Sequence, residues 1–89
     1  MVVRITVYGQ VQGVWFRAST RDEALRLGLA GSVRNLANGA VEIIASGDDV
    51  QIEWLIRWAR KGPPMAEVSD IQVETLLSEP PMQTFELIH

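Results

Sequence analysis

The segment from Gly9 to Arg17 has the composition of a binding site for a small phosphate-bearing molecule. It contains two glycines, no acidic residue and a single cation at its end, Arg17. Glycines let a backbone turn tightly with several amide N–H groups pointing inward, and such a turn binds anions. A following helix adds unpaired N–H groups, and an arginine adds a planar fork of donors matched to phosphate oxygens. An ordinary strand-to-helix connection with a solvated arginine fits the same composition, so both interpretations stay open at this point.

Other residues that could do chemistry are few. The segment lacks the closing Gly-Lys-Ser/Thr of a nucleotide-binding P-loop. Asp48 and Asp49 are adjacent acids before an apolar helical stripe, which is typical of helix capping rather than metal binding. His89 is the one histidine and has no ligand partner nearby in the sequence, and the chain has no cysteine. The sequence therefore predicts no metal site and no cofactor.

The elements that must position this segment follow from hydrophobic periodicity. Alternation before Gly9 predicts a strand with Val3, Ile5 and Val7 on its buried face, and Asn38-Gly39 between two apolar runs predicts a hairpin. Asp48 and Gln51 form a capping-box pattern. The pattern predicts strands at 2–8, 31–36, 40–46, 67–76 and 83–88, helices at 16–27 and 49–61, and a loop at 78–81.

This order of elements predicts an α+β fold. Strand–helix–strand–strand–helix–strand is the order of a ferredoxin-like βαββαβ sandwich, here with an additional C-terminal strand. Each helix has one apolar stripe, so we expect both helices on one face of an antiparallel sheet. A chain of 89 residues is too short for two cores, so we expect residues 1–89 to form a single domain.

The same segment, GQVQGVWFR, closely resembles the G-x-V-Q-G-V-x-F-R signature of acylphosphatases. The resemblance continues along essentially the whole chain, through the segments LGLAG at 27–31, VRNL at 33–36, NG at 38–39, GPP at 62–64 and FEL at 85–87. It implies a ferredoxin-like fold and a single acylphosphatase-like domain. It also implies hydrolysis of acyl phosphates, which are small-molecule substrates, to a carboxylate and inorganic phosphate.

The resemblance also implies roles for particular residues. Arg17 binds the phosphoryl group together with a phosphate-binding loop, and Asn35 holds the attacking water. The residues of that loop are Gln10, Val11, Gln12, Gly13, Val14, Trp15, Phe16 and Arg17. A carboxylate leaving group, whose acid has a pKa of roughly 4 to 5, departs without a general acid. Positioning and charge stabilisation then suffice, so the resemblance implies catalysis without a metal.

Several positions depart from the family pattern or keep two interpretations. Ser32 stands where the family usually has a large aromatic residue, and Gln10 where it often has a basic one, so both bear on rate and affinity. Gln12 is expected to tie the loop structurally through its amide. Trp15 either borders the pocket and contacts the acyl group or has no such role. Trp54 and Trp58 are expected to pack beside the core stripe, with a dimer contact as the alternative.

Composition limits the partners. Net charge is −3 with a pI near 5.0, the wrong sign for gripping a nucleic acid. No apolar run is long enough to span a membrane and no signal peptide is visible, so we expect a cytoplasmic protein. We further expect a monomer. One alternative is an anion sensor or maturation-factor domain that keeps the pocket without turnover, and a weaker one is a nucleic-acid binder.

Overall fold

The computed structural model of the protein describes residues 1–78 and 83–89, so most of the loop predicted at 78–81 lies outside the described residues. The elements are β1 (Val2–Gln10), α1 (Phe16–Arg26), β2 (Ala30–Asn35), β3 (Val41–Ser46), α2 (Asp49–Lys61), β4 (Glu67–Thr75) and β5 (Phe85–Leu87). Their order and types are those that the periodicity predicts, and no boundary differs from the prediction by more than two residues.

The strands form a single sheet in the order β4-β1-β3-β2-β5. β3 lies in the centre and pairs antiparallel with β1 and β2, while β1 also pairs antiparallel with β4 at one edge. Val3, Ile5 and Val7 of β1 are fully buried, as the alternation predicts. They pack in one core with residues of both helices, namely Phe16, Ala24, Ile52, Leu55 and Ala59. Two helices on one face of the sheet confirm the ferredoxin-like fold.

The last strand departs from the antiparallel arrangement. β5 pairs parallel with β2, through the register Gly31 with Phe85 and Val33 with Leu87. β5 runs antiparallel to β4 but lies at the opposite edge of the sheet. Its only neighbour in the described sheet, β2, runs in the same direction as β5. The sheet is therefore mixed. A period-of-two pattern marks a strand but carries no information about the direction of its neighbour.

β1 is longer than the alternation predicts, because it continues through Gly9 to Gln10. Pairing with β4 shifts register between Tyr8 and Gly9, which marks a bulge. Gly9 has φ of 126°, and a Cβ atom there would lie 2.1 Å from the carbonyl oxygen of Glu67. A glycine at this position lets β4 approach, and the bulge then directs the chain into the loop.

The end of α1 and the start of α2 lie within one residue of the predicted positions. The backbone N–H groups of Gly28 and Leu29 donate to the carbonyls of Leu25 and Ala24, so α1 closes in a Schellman motif one residue earlier than expected. α2 begins with a capping box between Asp48 and Gln51, as predicted. Neither α1 nor α2, the helices of the described ranges, is long and apolar enough to cross a membrane.

An ion-pair ladder crosses the sheet face opposite the helices. Arg34 Nε on β2 lies 2.9 Å from Glu42 Oε1 on β3, and Arg4 Nη1 on β1 lies 2.8 Å from Glu74 Oε1 on β4. Arg4 Nε, 3.6 Å from Glu42 Oε2, joins the two pairs. The ladder links the strand that precedes the Gly9–Arg17 segment to the strand that ends at Asn35, so it helps to hold both in register.

Candidate active site

The connection between β1 and α1 is a short loop pinned at both ends. Val11 and Phe16 are each 1% exposed and belong to the core, so the backbone between them is held close to the sheet. Gly13 has φ of 76°, a left-handed conformation that glycine adopts at little cost. A Cβ atom at Gly13 would meet open space, so glycine is favoured there by backbone conformation rather than by crowding.

Gln12 ties this loop to the β2–β3 hairpin. Its side-chain Nε2 donates to the carbonyl oxygens of Leu36 and Ala40, both at 2.8 Å. Leu36 directly follows Asn35, so the loop is fixed against the neighbour of the predicted water-holding residue. These two hydrogen bonds confirm that Gln12 has the structural role that the sequence predicts.

The first turn of α1 is open. Trp15 occupies the N-cap position with φ of 64° and ψ of 19°, and its indole has no oxygen with which to accept from the helix. Within the described residues, no side chain caps this helix start and no acid lies in its first turn. The first amide N–H groups of a helix have no intrahelical acceptors, and the helix dipole makes this end positive. The arrangement favours an anion.

Arg17, in that first turn, is oriented from the other edge of the sheet. Its Nη1 donates to the carbonyl oxygen of Ile88 at 2.9 Å. Ile88 in turn donates its backbone N–H to the carbonyl of Val33 on β2, also at 2.9 Å. A guanidinium has five N–H donors, so the bond to Ile88 fixes the direction of the side chain and leaves further donors for a ligand.

Arg17 and Asn35 line the same cleft, which has a volume of about 320 Å³. Asn35 is exposed, and in the ranges 1–78 and 83–89 its carboxamide has no hydrogen-bond partner. A free carboxamide can both accept from and donate to a bound molecule or water. The cleft is lined by Val11, Gly13, Trp15, Phe16, Arg17, Ala18, Asn35, Leu87 and His89.

Not every residue of the predicted loop lines the cleft. Gln10 is the last residue of β1, Gln12 bonds to the hairpin, and Val14 packs against the core. Their side chains are not among the lining groups, so only their backbone remains available for binding an anion. Trp15 does border the cleft, as one of the two interpretations requires, and its contact with an acyl group stays a prediction.

Three lining residues were not expected. Ala18 follows Arg17 and could have been found from its place in the first helical turn. Leu87 and His89 come from β5 and the residues after it, and the sequence indicates no role for His89. Their place depends on the parallel pairing of β5 with β2, a long-range contact for which the sequence carries no local signal.

The other tryptophans have packing partners. The ring of Trp58 packs against Phe16, with centroids 5.5 Å apart, and Arg57 lies 5.3 Å from the ring centroid of Trp54. Trp58 therefore packs against the first residue of α1, while Trp54 is half exposed on α2. In the described part of the chain, no group of three or more histidine, aspartate or glutamate side chains is placed to hold a metal ion.

Comparison with known proteins shows what this chain resembles. The acylphosphatase family model matches residues 3–87. A curated acylphosphatase of Nitrosococcus oceani is 46% identical over 85 residues, covering 96% of this chain and 94% of that protein. One of Pelotomaculum thermopropionicum is 53% identical over 70 residues, covering 79% and 76%. The crystal structure of acylphosphatase from Bacillus subtilis superposes with a TM-score of 0.94 at 36% identity, covering all of both chains.

Proposed function

The chain belongs to the acylphosphatase family, and from this membership we infer that it is an enzyme that hydrolyses acyl phosphates to a carboxylate and inorganic phosphate. The observation that carries the inference to particular residues is the shared cleft. Arg17 and Asn35 belong to different elements, α1 and β2, yet both line it beside an uncapped helix start. We propose Arg17 and the loop amides as the phosphate clamp and Asn35 as the holder of water.

The electrostatics of the cleft suit a phosphoryl group. Phosphoryl transfer has a loose transition state with negative charge spread over three equatorial oxygens. The open first turn of α1 offers N–H donors, and Arg17 offers a charged planar fork beside them. Because Arg17 is already held by Ile88, little reorganisation is needed when substrate arrives, and preorganised donors contribute more to catalysis than flexible ones.

The chemical step needs no proton donor for the leaving group. The oxygen of water forms a bond to phosphorus while the bond from phosphorus to the acyl oxygen breaks, and the electron pair of that bond leaves on the carboxylate. Both water protons end on phosphate oxygens, giving dihydrogen phosphate. The Asn35 carboxamide cannot take up a proton at neutral pH, so its proposed task is to orient the water in line with the leaving oxygen.

The family relationship also guides what is proposed about partners. We propose that the substrate is a small molecule and that the protein acts as a monomer in the cytoplasm. We also propose that it needs no metal and binds neither nucleic acid nor membranes. The absence of cysteine in the sequence and a net charge of −3 support the cytoplasmic location and the lack of a nucleic-acid partner. That Ser32 and Gln10 affect rate and affinity stays a prediction.

The test is steady-state hydrolysis of benzoyl phosphate by the purified protein with a chelator present. We expect multiple turnovers and competitive inhibition by inorganic phosphate. Retention of full activity in the chelator supports the metal-free proposal. Phosphate binding without turnover would overturn the proposed enzyme and favour an anion sensor. Turnover that disappears with the chelator would overturn the metal-free mechanism while keeping the enzyme.

A further inference from the structure

The fold does not explain why position 15 carries a tryptophan that is exposed to solvent and has an unfavourable backbone conformation. The side chain is 77% exposed, and in the described part of the chain it has no aromatic or cationic partner. The tryptophans at 54 and 58 differ, since one stacks with Arg57 and the other packs on Phe16. A single exposed apolar side chain is ordinary on a protein surface, so exposure alone would not decide anything.

The backbone of Trp15 supplies a second and independent observation. Trp15 is the one non-glycine residue with positive φ among residues 1–78 and 83–89, at 64°. Bulky side chains seldom adopt this conformation, and glycine would adopt it without strain. Strained residues of this kind concentrate at binding and catalytic sites, where the strain directs a side chain toward a ligand. Position 15 therefore carries a large ring, although glycine would adopt the same backbone conformation without strain.

The cleft next to Trp15 has two chemical ends. Arg17, Asn35 and the loop backbone make a polar end that suits a phosphoryl group. Leu87 and the exposed Trp15 are apolar residues that line the same cleft, and the almost fully buried Val11 and Phe16 border it. Contact with apolar residues does not stabilise a bound phosphate ion. It does stabilise an acyl group attached to that phosphate, because burying apolar surface is favourable and aromatic rings attract one another.

We propose that Trp15 is the specificity-determining residue for the acyl half of the substrate, and that the site prefers acyl phosphates with an aromatic acyl group. This inference rests on the proposed function. The indole packs against the ring of the acyl group while Arg17 and the loop hold the phosphoryl group. A small acyl group, such as that of acetyl phosphate, is too short to cover the indole and gains nothing from it.

The test compares kcat/KM for benzoyl phosphate and acetyl phosphate in wild type, Trp15→Gly and Trp15→Phe. Glycine removes the ring and accepts the left-handed backbone, so the loop keeps its shape. We expect the benzoyl-to-acetyl ratio of kcat/KM to fall roughly three- to tenfold in Trp15→Gly, which is the size of one aromatic pair. Phenylalanine should restore most of the ratio. Trp54→Ala, which removes an exposed tryptophan on α2, should leave the ratio unchanged.

Inhibition by inorganic phosphate separates the acyl end from the phosphate end. Phosphate has no acyl group, so its inhibition constant should be the same in wild type and Trp15→Gly. An unchanged substrate ratio in Trp15→Gly would overturn the inference and leave the proposed function standing. An equal fall for both substrates would also overturn it, since that result assigns Trp15 to the loop structure. Absence of turnover in wild type would instead overturn the proposed function, and this inference with it.

Discussion

The two helices begin in opposite ways. At the start of α2, the Asp48 side chain accepts from the backbone of Gln51, and the Gln51 side chain accepts from the backbone N–H of Asp48 at 3.2 Å. Asp49 adds a negative charge to that first turn. At the start of α1, Trp15 holds the N-cap position in a left-handed conformation, and within the described residues neither a side-chain cap nor an acid is present.

We propose that the capped start of α2 serves stability and that the uncapped start of α1 serves ligand binding. A side-chain cap typically contributes about 1 kcal/mol to stability, and α1 forgoes it. Arg17 and Ala18 of its first turn line the cleft together with Asn35, and we propose that a phosphate bound there takes the position of the missing cap. Substitutions at the two helix starts should therefore have opposite consequences, with activity affected at α1 and stability at α2.

Arg17→Ala should have the largest effect. It removes the cation beside the open helix start and the fork fixed by Ile88. Loss of an arginine that stabilises transferred phosphoryl charge typically lowers kcat by about 10³- to 10⁵-fold. Arg17→Lys should recover little, because a point charge cannot reproduce the fork. The measurement is kcat with benzoyl phosphate, with Arg57→Ala on α2 as the charge-matched control. A variant with wild-type kcat would exclude Arg17 as the clamp.

Asn35→Ala should lower kcat by about 10²- to 10³-fold, comparable to losing one preorganised polar group at a reacting centre. The open helix start and Arg17 remain intact in this variant, so inhibition by inorganic phosphate should persist. Steady-state kinetics and phosphate inhibition measured on the same preparation distinguish the two roles. If phosphate binding disappeared together with turnover, Asn35 would bind phosphate or support the fold rather than hold the attacking water.

Ala18→Glu would make the first turn of α1 resemble that of α2. Ala18 lines the cleft, so the new carboxylate would lie beside the phosphoryl position and repel it. A like charge a few ångströms away costs on the order of 1.4 kcal/mol or more, so KM should rise about tenfold or more. Ala18→Gln has the same length without the charge, and the difference between the two variants isolates electrostatics. Equal KM values in both would show that the helix start does not act on the phosphate through charge.

Asp48→Ala should have the smallest effect on activity. It removes the cap of α2 and should lower the free energy of unfolding by about 1 kcal/mol, while kcat and KM stay at their wild-type values. Urea unfolding followed by circular dichroism, together with steady-state kinetics, provides the check. A marked fall in kcat would mean that the two helix starts are coupled, and the contrast drawn between them would fail.

Local sequence signals predicted most of the fold. The buried face of β1, the apolar stripe and cap of α2 and the Asn38-Gly39 hairpin each rest on neighbouring residues, and the structure has them all. The direction of β5 could not be predicted in this way. It depends on where the chain returns after β4, and periodicity along a strand is the same for parallel and antiparallel neighbours.

The candidate site was likewise predictable from the sequence only in part. Arg17 and Gly13 could be proposed from the composition of one segment, and Asn35 from a resemblance to a family motif. The fixation of Arg17 by Ile88 could not, because the two residues lie 71 positions apart in the chain. The left-handed backbone of Trp15 was equally hidden, since tryptophan is among the residues least expected to adopt it.

The parallel strand β5 has a consequence for how the protein responds to mild denaturation. It is three residues long and lies at an edge of the sheet, where strands open at a lower free energy than central ones. Opening of β5 would release Ile88 and with it the orientation of Arg17, while the central strands and both helices stay folded. The proposed phosphate clamp thus depends on a three-residue strand at the edge of the sheet. In rising urea, activity should decline before the helical signal does.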